Sequence, residues 1–171
     1  ILQSLVDTVG ETCNFTTLAG ADVLYLDRVE TRWPLRVHLE PGSRVPIHCT
    51  ASGKLFMAHM DASYRNAALG NRKLVPHTPS TITSRADLEA HLESIRVQDY
   101  SVDNEEFLLG LVAVAVPIRD SAGQTVAALA CHAPIARMPL GKAIKLLPKL
   151  RAAAGKLAET LPPLLPKHPR Q

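Results

Sequence analysis

Two apolar runs, Leu111–Ile118 and Thr125–Ala133, constrain most strongly what this chain can fold into. Each is almost free of polar side chains, and Asp120-Ser121-Ala122-Gly123 between them has the composition of a tight turn. Runs joined in this way form an antiparallel hairpin. Neither run alternates with polar residues, so the hairpin has to be covered on both faces.

The rest of the chain supplies the cover. Ile1–Thr8 has apolar residues at 1, 2, 5 and 6, an amphipathic helical stripe stopped by Gly10. Cys13–Leu18 alternates as a strand, Ala19-Gly20-Ala21-Asp22 turns the chain, and Val23–Val29 returns. Leu35–Leu39 alternates again and ends at Pro41-Gly42. Thr50–Met60 and Ala62–Leu69 read as helices, and residues 71–85, rich in Pro, Thr and Ser, as a loop. Ser84 suits the N-cap of a helix from Arg85 to about Arg96, and Tyr100–Asp103 a short strand. One last helix carries apolar residues at 140, 143, 144, 147, 150, 154, 157 and 161. Four prolines beyond Leu161 mark a tail expected to pack poorly. This order predicts an α+β fold with a central antiparallel sheet and helices on its faces.

At 171 residues, 46% hydrophobic and 20% charged, the chain has the size and composition of one globular domain. No stretch approaches the ~18 uninterrupted apolar residues of a membrane span. Asp7 and Glu11 interrupt the opening apolar segment, unlike a secretory signal, and the start at Ile1 suits a piece of a longer protein. Cys13, Cys49 and Cys131 are widely spaced and unpaired by motif, which argues for a reducing cytoplasm rather than a disulfide framework. From Arg137 onward eight Lys/Arg face Glu159 alone. Such a helix could approach nucleic acid, but a solvated face is the plainer reading.

The run Gly42–Leu55, GSRVPIHCTASGKL, leads from a Pro-Gly turn into a helix start built of Thr50, Ala51, Ser52 and Gly53. Small residues there leave N–H groups open to an anion or carboxylate; they also suit a helix packed tightly on a strand. Ser52-Gly53-Lys54 is not a phosphate-binding P-loop, because His48 and Leu55 stand where that motif needs Gly and Ser/Thr. His48 and Cys49 read as extended neighbours directed to opposite faces, and Cys49 as a buried structural thiol. A metal would have to recruit Cys13, Cys49, His48 or His132 from separate elements, so neither metal nor cofactor is expected. Asp103-Asn104-Glu105-Glu106 reads as a helix-start cluster, with Asp103 also kept as a site candidate. His132 is either a satisfied core residue or a polar tip facing a cavity.

Several landmarks share a common order: Gly10-Glu11-Thr12-Cys13-Asn14, Val23-Leu24-Tyr25-Leu26-Asp27-Arg28-Val29-Glu30, Pro46 through Lys54, Thr78-Pro79-Ser80-Thr81-Ile82, Tyr100 through Glu106 with Gly110, and Ala115 through Asp120. With them the chain resembles, from about Ile1 to about Leu161, the effector-binding domain of the IclR family of bacterial transcription regulators. The resemblance implies a GAF-like fold, a bent antiparallel sheet with helices on both sides, and a small-molecule pocket on one face. It divides the chain into the end of a linker helix (1–9), the effector-binding domain (10–161) and a Pro-rich tail (162–171). Family members usually carry a winged helix-turn-helix ahead of this domain, so DNA contact is expected only through that absent module. Dimers and dimers of dimers are also implied.

In members that recognise small oxoacids, the ligand carboxylate lies at the helix start, here Ala51 and Ser52. The other pocket positions align with Asp103, Leu111, Ala113, Ala130 and His132. The spacings 111/113 and 130/132 put each pair on one face of its strand. Where oxoacid-sensing relatives carry Cys and Ser, this chain has Ala113, Ala130 and a switchable His132. The ligand expected is therefore a carboxylic acid with an apolar or aromatic part, and no membrane partner is expected. The domain reads as a cytoplasmic sensor whose ligand shifts subunit arrangement, not as an enzyme. The alternatives are a small enzyme using Cys49 or the Asp103/His132 pair, and an oligomerisation module with a filled pocket.

Overall fold

The hairpin forms where the apolar runs place it. In the computed structural model, which describes residues 1–161, Leu111–Arg119 pairs antiparallel with Thr125–Pro134. In chain order the elements are α1 (Leu2–Val9), β1 (Thr12–Ala19), β2 (Asp22–Val29), β3 (Arg44–Pro46), α2 (Ala51–His59), α3 (Ala62–Leu69), α4 (Arg85–Gln98), β4 (Ser101–Asn104), β5 (Leu111–Arg119), β6 (Thr125–Pro134), α5 (Leu140–Ile144) and α6 (Leu147–Thr160). The strands form one six-stranded antiparallel sheet in the order β3-β2-β1-β6-β5-β4. This is the expected α+β architecture.

The two faces of the hairpin differ in side-chain size. Val112, Val114, Val116 and Ile118, with Leu129, fill the face covered by α1, α5 and α6. Ala113, Ala115, Ala128 and Ala130 make up the other face, under α2 and α4. Short side chains let α2 lie close to the sheet, and Leu88, Leu92 and Ile95 of α4 close the layer from behind, wholly buried. Burying a side chain of that size contributes about 1.5–3 kcal/mol. At the start of α2 the approach is closer still. A Cβ on Gly53 would stand 2.1 Å from the Ile47 carbonyl oxygen, so at this position the small residue serves packing.

Three expectations are corrected. Leu35–Leu39 is not a strand. Its carbonyls are taken by arginines from other elements, with Arg28 donating to Val37 and Arg137 to Leu35, while Arg44–Pro46 pairs with β2 instead. The last helix is two. Pro148 has no N–H to donate to Ile144 and its ring crowds that carbonyl, so the helix breaks and Pro148 sits in the first turn of α6. Residues 105–110 form turns rather than a helix. The Pro-rich segment 162–171 lies outside the described residues. Among the described residues no helix is long and apolar enough to cross a membrane. Cys13 and Cys131 are partners in the β1–β6 register and both are free thiols.

Two glycines should respond oppositely to one added methyl group. Gly53→Ala is expected to lose at least about 3 kcal/mol in urea unfolding, because backbone has to move. Gly155→Ala, in an exposed turn of α6 with nothing within 4 Å of the new Cβ, is expected to gain about 0.5–1 kcal/mol.

Candidate functional site

Over the alanine face, between the sheet and the start of α2, lies a cavity. Ala51, Ser52, Asp103, Leu111, Ala113, Ala130 and His132 all line it. All six strands and the α2 start contribute to its wall, so residues spread over most of the sequence meet there. The register explains part of the meeting: Ala113 is paired with both Asp103 and His132.

The sequence reading did not count as site residues Asn14, which lines the cavity, and Arg28, which bonds Asn14 from outside it. Arg28 donates through Nη1 to Asn14 Oδ1 at 3.4 Å, which turns the amide nitrogen of Asn14 toward His132 Nδ1 at 3.0 Å. An amide NH2 only donates, so Nδ1 accepts and the ring proton is on Nε2. His132 Nε2 is buried without a partner. Burial holds the imidazole neutral, its pKa brought down to about 3, and the charge of Arg28 acts the same way. In this arrangement His132 is a fixed donor rather than the switchable group expected of it. A signal was present: Thr12, Asn14 and Thr16 alternate along one face of β1 and all are buried, and polar side chains on an inward face need partners.

Asp103 does not cap a helix. Its Oδ1 accepts from the N–H groups of Glu106 (2.7 Å) and Phe107 (3.3 Å), which fixes the turn. Burial raises its pKa to about 7, and the nearby Glu106 adds to the rise despite those two bonds. Glu106 pairs instead with the wholly buried Lys54. Lys54 also lies 3.3 Å from His91 Nε2, whose pKa is brought down to about 4 by burial and then by Lys54. Lys54 is thus an internal brace between α2, α4 and the turn, not a phosphate ligand.

At the α2 start, Thr50 Oγ1 accepts from Gly53 N–H at 3.2 Å, and Lys54 N–H bonds the Thr50 carbonyl. Among the described residues the N–H groups of Ala51 and Ser52 have no acceptor. Gly53 therefore serves packing, while the N–H groups of Ala51 and Ser52 stay open.

The free space is about 20 Å³, room for about one water. Val37, Leu39 and Phe107 close over the volume that the alanines leave. Val37 and Leu39 belong to an irregular strap, residues 30–43, held down by Arg28 and by Glu30. Glu30 bonds Arg36 at 2.6 Å and His38 at 2.9 Å. Its carboxyl is held at about 2, first by the Arg36 hydrogen bond. The strap is also tied to α1, since Thr31 Oγ1 donates to the Gly10 carbonyl at 2.8 Å.

The residues proposed for enzymatic chemistry are not so arranged. Asp103 and His132 share the cavity but are not hydrogen-bonded to each other. Cys49 is buried and its thiol is pushed up to about 12 by burial, with Asp103 and Glu106 adding to it.

Comparison with known proteins agrees with this architecture. Residues 1–159 match the family described as bacterial transcriptional regulator IclR C-terminal. The chain is 48% identical over 160 residues to the probable transcriptional regulator SauR of Cupriavidus necator, covering 94% of this chain and 64% of that protein. It superposes on the crystal structure of the Thermotoga maritima IclR with a TM-score of 0.86 at 31% identity, over 94% of this chain and 65% of the other. It also superposes on the inducer-binding domain of the PobR transcription factor from Acinetobacter, a double mutant in complex with 3-hydroxybenzoic acid. That TM-score is 0.84 at 29% identity, over 94% of each chain. The chain thus spans somewhat less than two thirds of the Cupriavidus regulator. A six-stranded antiparallel sheet with helices on both faces, a lined cavity at the α2 start and a family match over residues 1–159 together make this chain a member of the IclR family of bacterial transcriptional regulators, matching its C-terminal, effector-binding domain.

Proposed function

We propose that this domain is the ligand sensor of a cytoplasmic transcription regulator, and that its ligand is a small organic acid held in the α2 cavity. The observation that carries this reading is the unpartnered His132 Nε2–H at the cavity wall. A buried donor without a partner costs about 1–3 kcal/mol, which an accepting anion would recover. The free N–H groups of Ala51 and Ser52 at the helix start supply further donors on the positive end of the α2 dipole. Asp103, near half-protonated at neutral pH, offers another polar contact. The hydroxybenzoic acid in the PobR domain supports an acid with an apolar or aromatic part.

Binding needs the cavity to enlarge, and the strap, which belongs to neither the sheet nor a helix, is the wall that would give way. His132, Asn14, Arg28 and the Val37 carbonyl form a continuous chain of contacts, and Thr31 carries it to the end of α1. A ligand that favours the open strap would shift the placement of α1. Through α1 it would act on a DNA-reading module ahead of residue 1 and on a second copy in a dimer or tetramer.

A thermal-shift panel of aromatic, branched and two-carbon acids tests the assignment. Selective stabilisation by an acid with an apolar part is expected, and stabilisation by the two-carbon acids alone would reverse the size argument. For the acid that binds, His132→Phe should weaken affinity about 10- to 150-fold, the worth of a hydrogen bond to a charged group. Unchanged affinity would remove His132 from the site.

Asp103 also predicts a pH effect. Its folded-state pKa near 7 lies above the ordinary aspartate value of 3.8, so between these values the folded protein holds a proton that the unfolded chain has released. Its contribution to stability is complete below about pH 4 and is lost as pH rises through about 7. Asp103→Asn removes that slope. Its unfolding free energy relative to the parent should rise steadily from about pH 4 to about pH 8, whereas a constant difference would mean Asp103 titrates normally.

A further inference from the structure

Ile47–Cys49 is a turn, not an extended segment. His48 and Cys49 are therefore not directed apart as extended neighbours would be, which corrects the sequence reading. His77 arrives at the same place from the loop before α4. One ring nitrogen of each histidine and the Cys49 Sγ lie within 4.8 Å of one another. On His48 the protonated nitrogen is identified by its partner. Nε2 is 2.9 Å from the Val75 carbonyl oxygen, which only accepts, so Nε2 carries the proton and Nδ1 presents a bare lone pair. Ligating histidines are held in this manner, one nitrogen donating to a carbonyl or carboxylate while the other faces the ion.

We infer that His48, Cys49 and His77 form a three-ligand site for a zinc-class divalent metal ion, with a fourth position left for water. Two imidazoles and a thiolate suit a borderline-soft ion that accepts four-coordinate geometry. Metal–ligand bonds of about 2.0–2.3 Å place donor atoms about 3.3–3.8 Å apart, so the trio closes by about 1 Å. His77 is exposed and sits on a loop, so its side chain is the one placed to make that movement. An access path exists, because His48 and His77 both line an open groove of about 400 Å³ beside Leu74 and Arg72. On binding, the Cys49 thiol releases its proton to solvent and the thiolate forms the sulfur–metal bond.

The site adjoins the effector cavity without belonging to it. The His77 ring is 5.7 Å from that of Phe107, which lines the cavity. The hydroxyls of Thr78 and Thr81 hold the Glu105 and Glu106 carbonyls. An ion on His77 would therefore stiffen one wall of the cavity.

Titration of the metal-free chain with Co²⁺, followed by absorbance, tests this directly. One equivalent is expected, with visible bands of a four-coordinate site and a thiolate-to-cobalt charge-transfer band, both bleached by Zn²⁺. Cys49→Ser should abolish the charge-transfer band, and His77→Ala, a surface change that leaves the fold alone, should weaken binding at least about tenfold. Absence of the charge-transfer band in the parent, its survival in Cys49→Ser, or parental affinity in His77→Ala would each overturn the assignment.

Discussion

The difference in side-chain size between the two faces of the β5–β6 hairpin governs the rest of the molecule. Valine, isoleucine and leucine on one face fill the space beneath α1, α5 and α6. Alanines on the other face cannot fill theirs, so α2 comes down close to the sheet, and Gly53 against Ile47 is the point of nearest approach. A helix starting so close to a sheet of short side chains places its uncapped N–H groups beside the strands. The remaining gap is the cavity. Bulky residues at 113 or 130 would fill it and push α2 away.

Around that gap the protein maintains polar groups at some cost. His132 keeps a donor without a partner, Asp103 is raised toward neutral pH, and Lys54 is wholly buried with Glu106. Buried charges and unpaired donors destabilise a fold unless something compensates. The Lys54–Glu106 pair offsets its own charge through Glu106 Oε1, although Glu106 Oε2 is buried without a hydrogen-bond partner. His132 is held through Nδ1 by Asn14, but its Nε2–H faces the cavity with no charged partner to offset it. His132 lines the cavity and Lys54 and Glu106 do not, which distinguishes a binding group from a brace and supports the proposed acid site. Its connection to the strap through Asn14 and Arg28 gives the same group a route to α1.

Much of this was readable in the residues. Runs without alternation announced the doubly covered hairpin, helical stripes announced α1 and α6, the Ser84 cap announced α4, and spacing by two put 111 with 113 and 130 with 132. The seven cavity positions came from the resemblance carried by the ordered landmarks. What escaped was decided by partners distant in sequence. Leu35–Leu39 has the pattern of a strand, but arginines from β2 and from beyond β6 take its carbonyls. Glu106 looks like a helix-start carboxylate until Lys54 is seen opposite. His48 and His77 are separated by two helices, and only the fold brings them together with Cys49.

From the residues alone follow the fold class, most of the elements and the family, because periodicity, turn residues and motif order are local properties that survive without coordinates. The tertiary structure decided the rest: which N–H groups at the α2 start stay open, which nitrogen of His132 carries the proton, how little space the strap leaves, and where two histidines and a thiol converge. Each of these depends on hydrogen-bond partners and close approaches between segments far apart in the chain, and no local pattern encodes them.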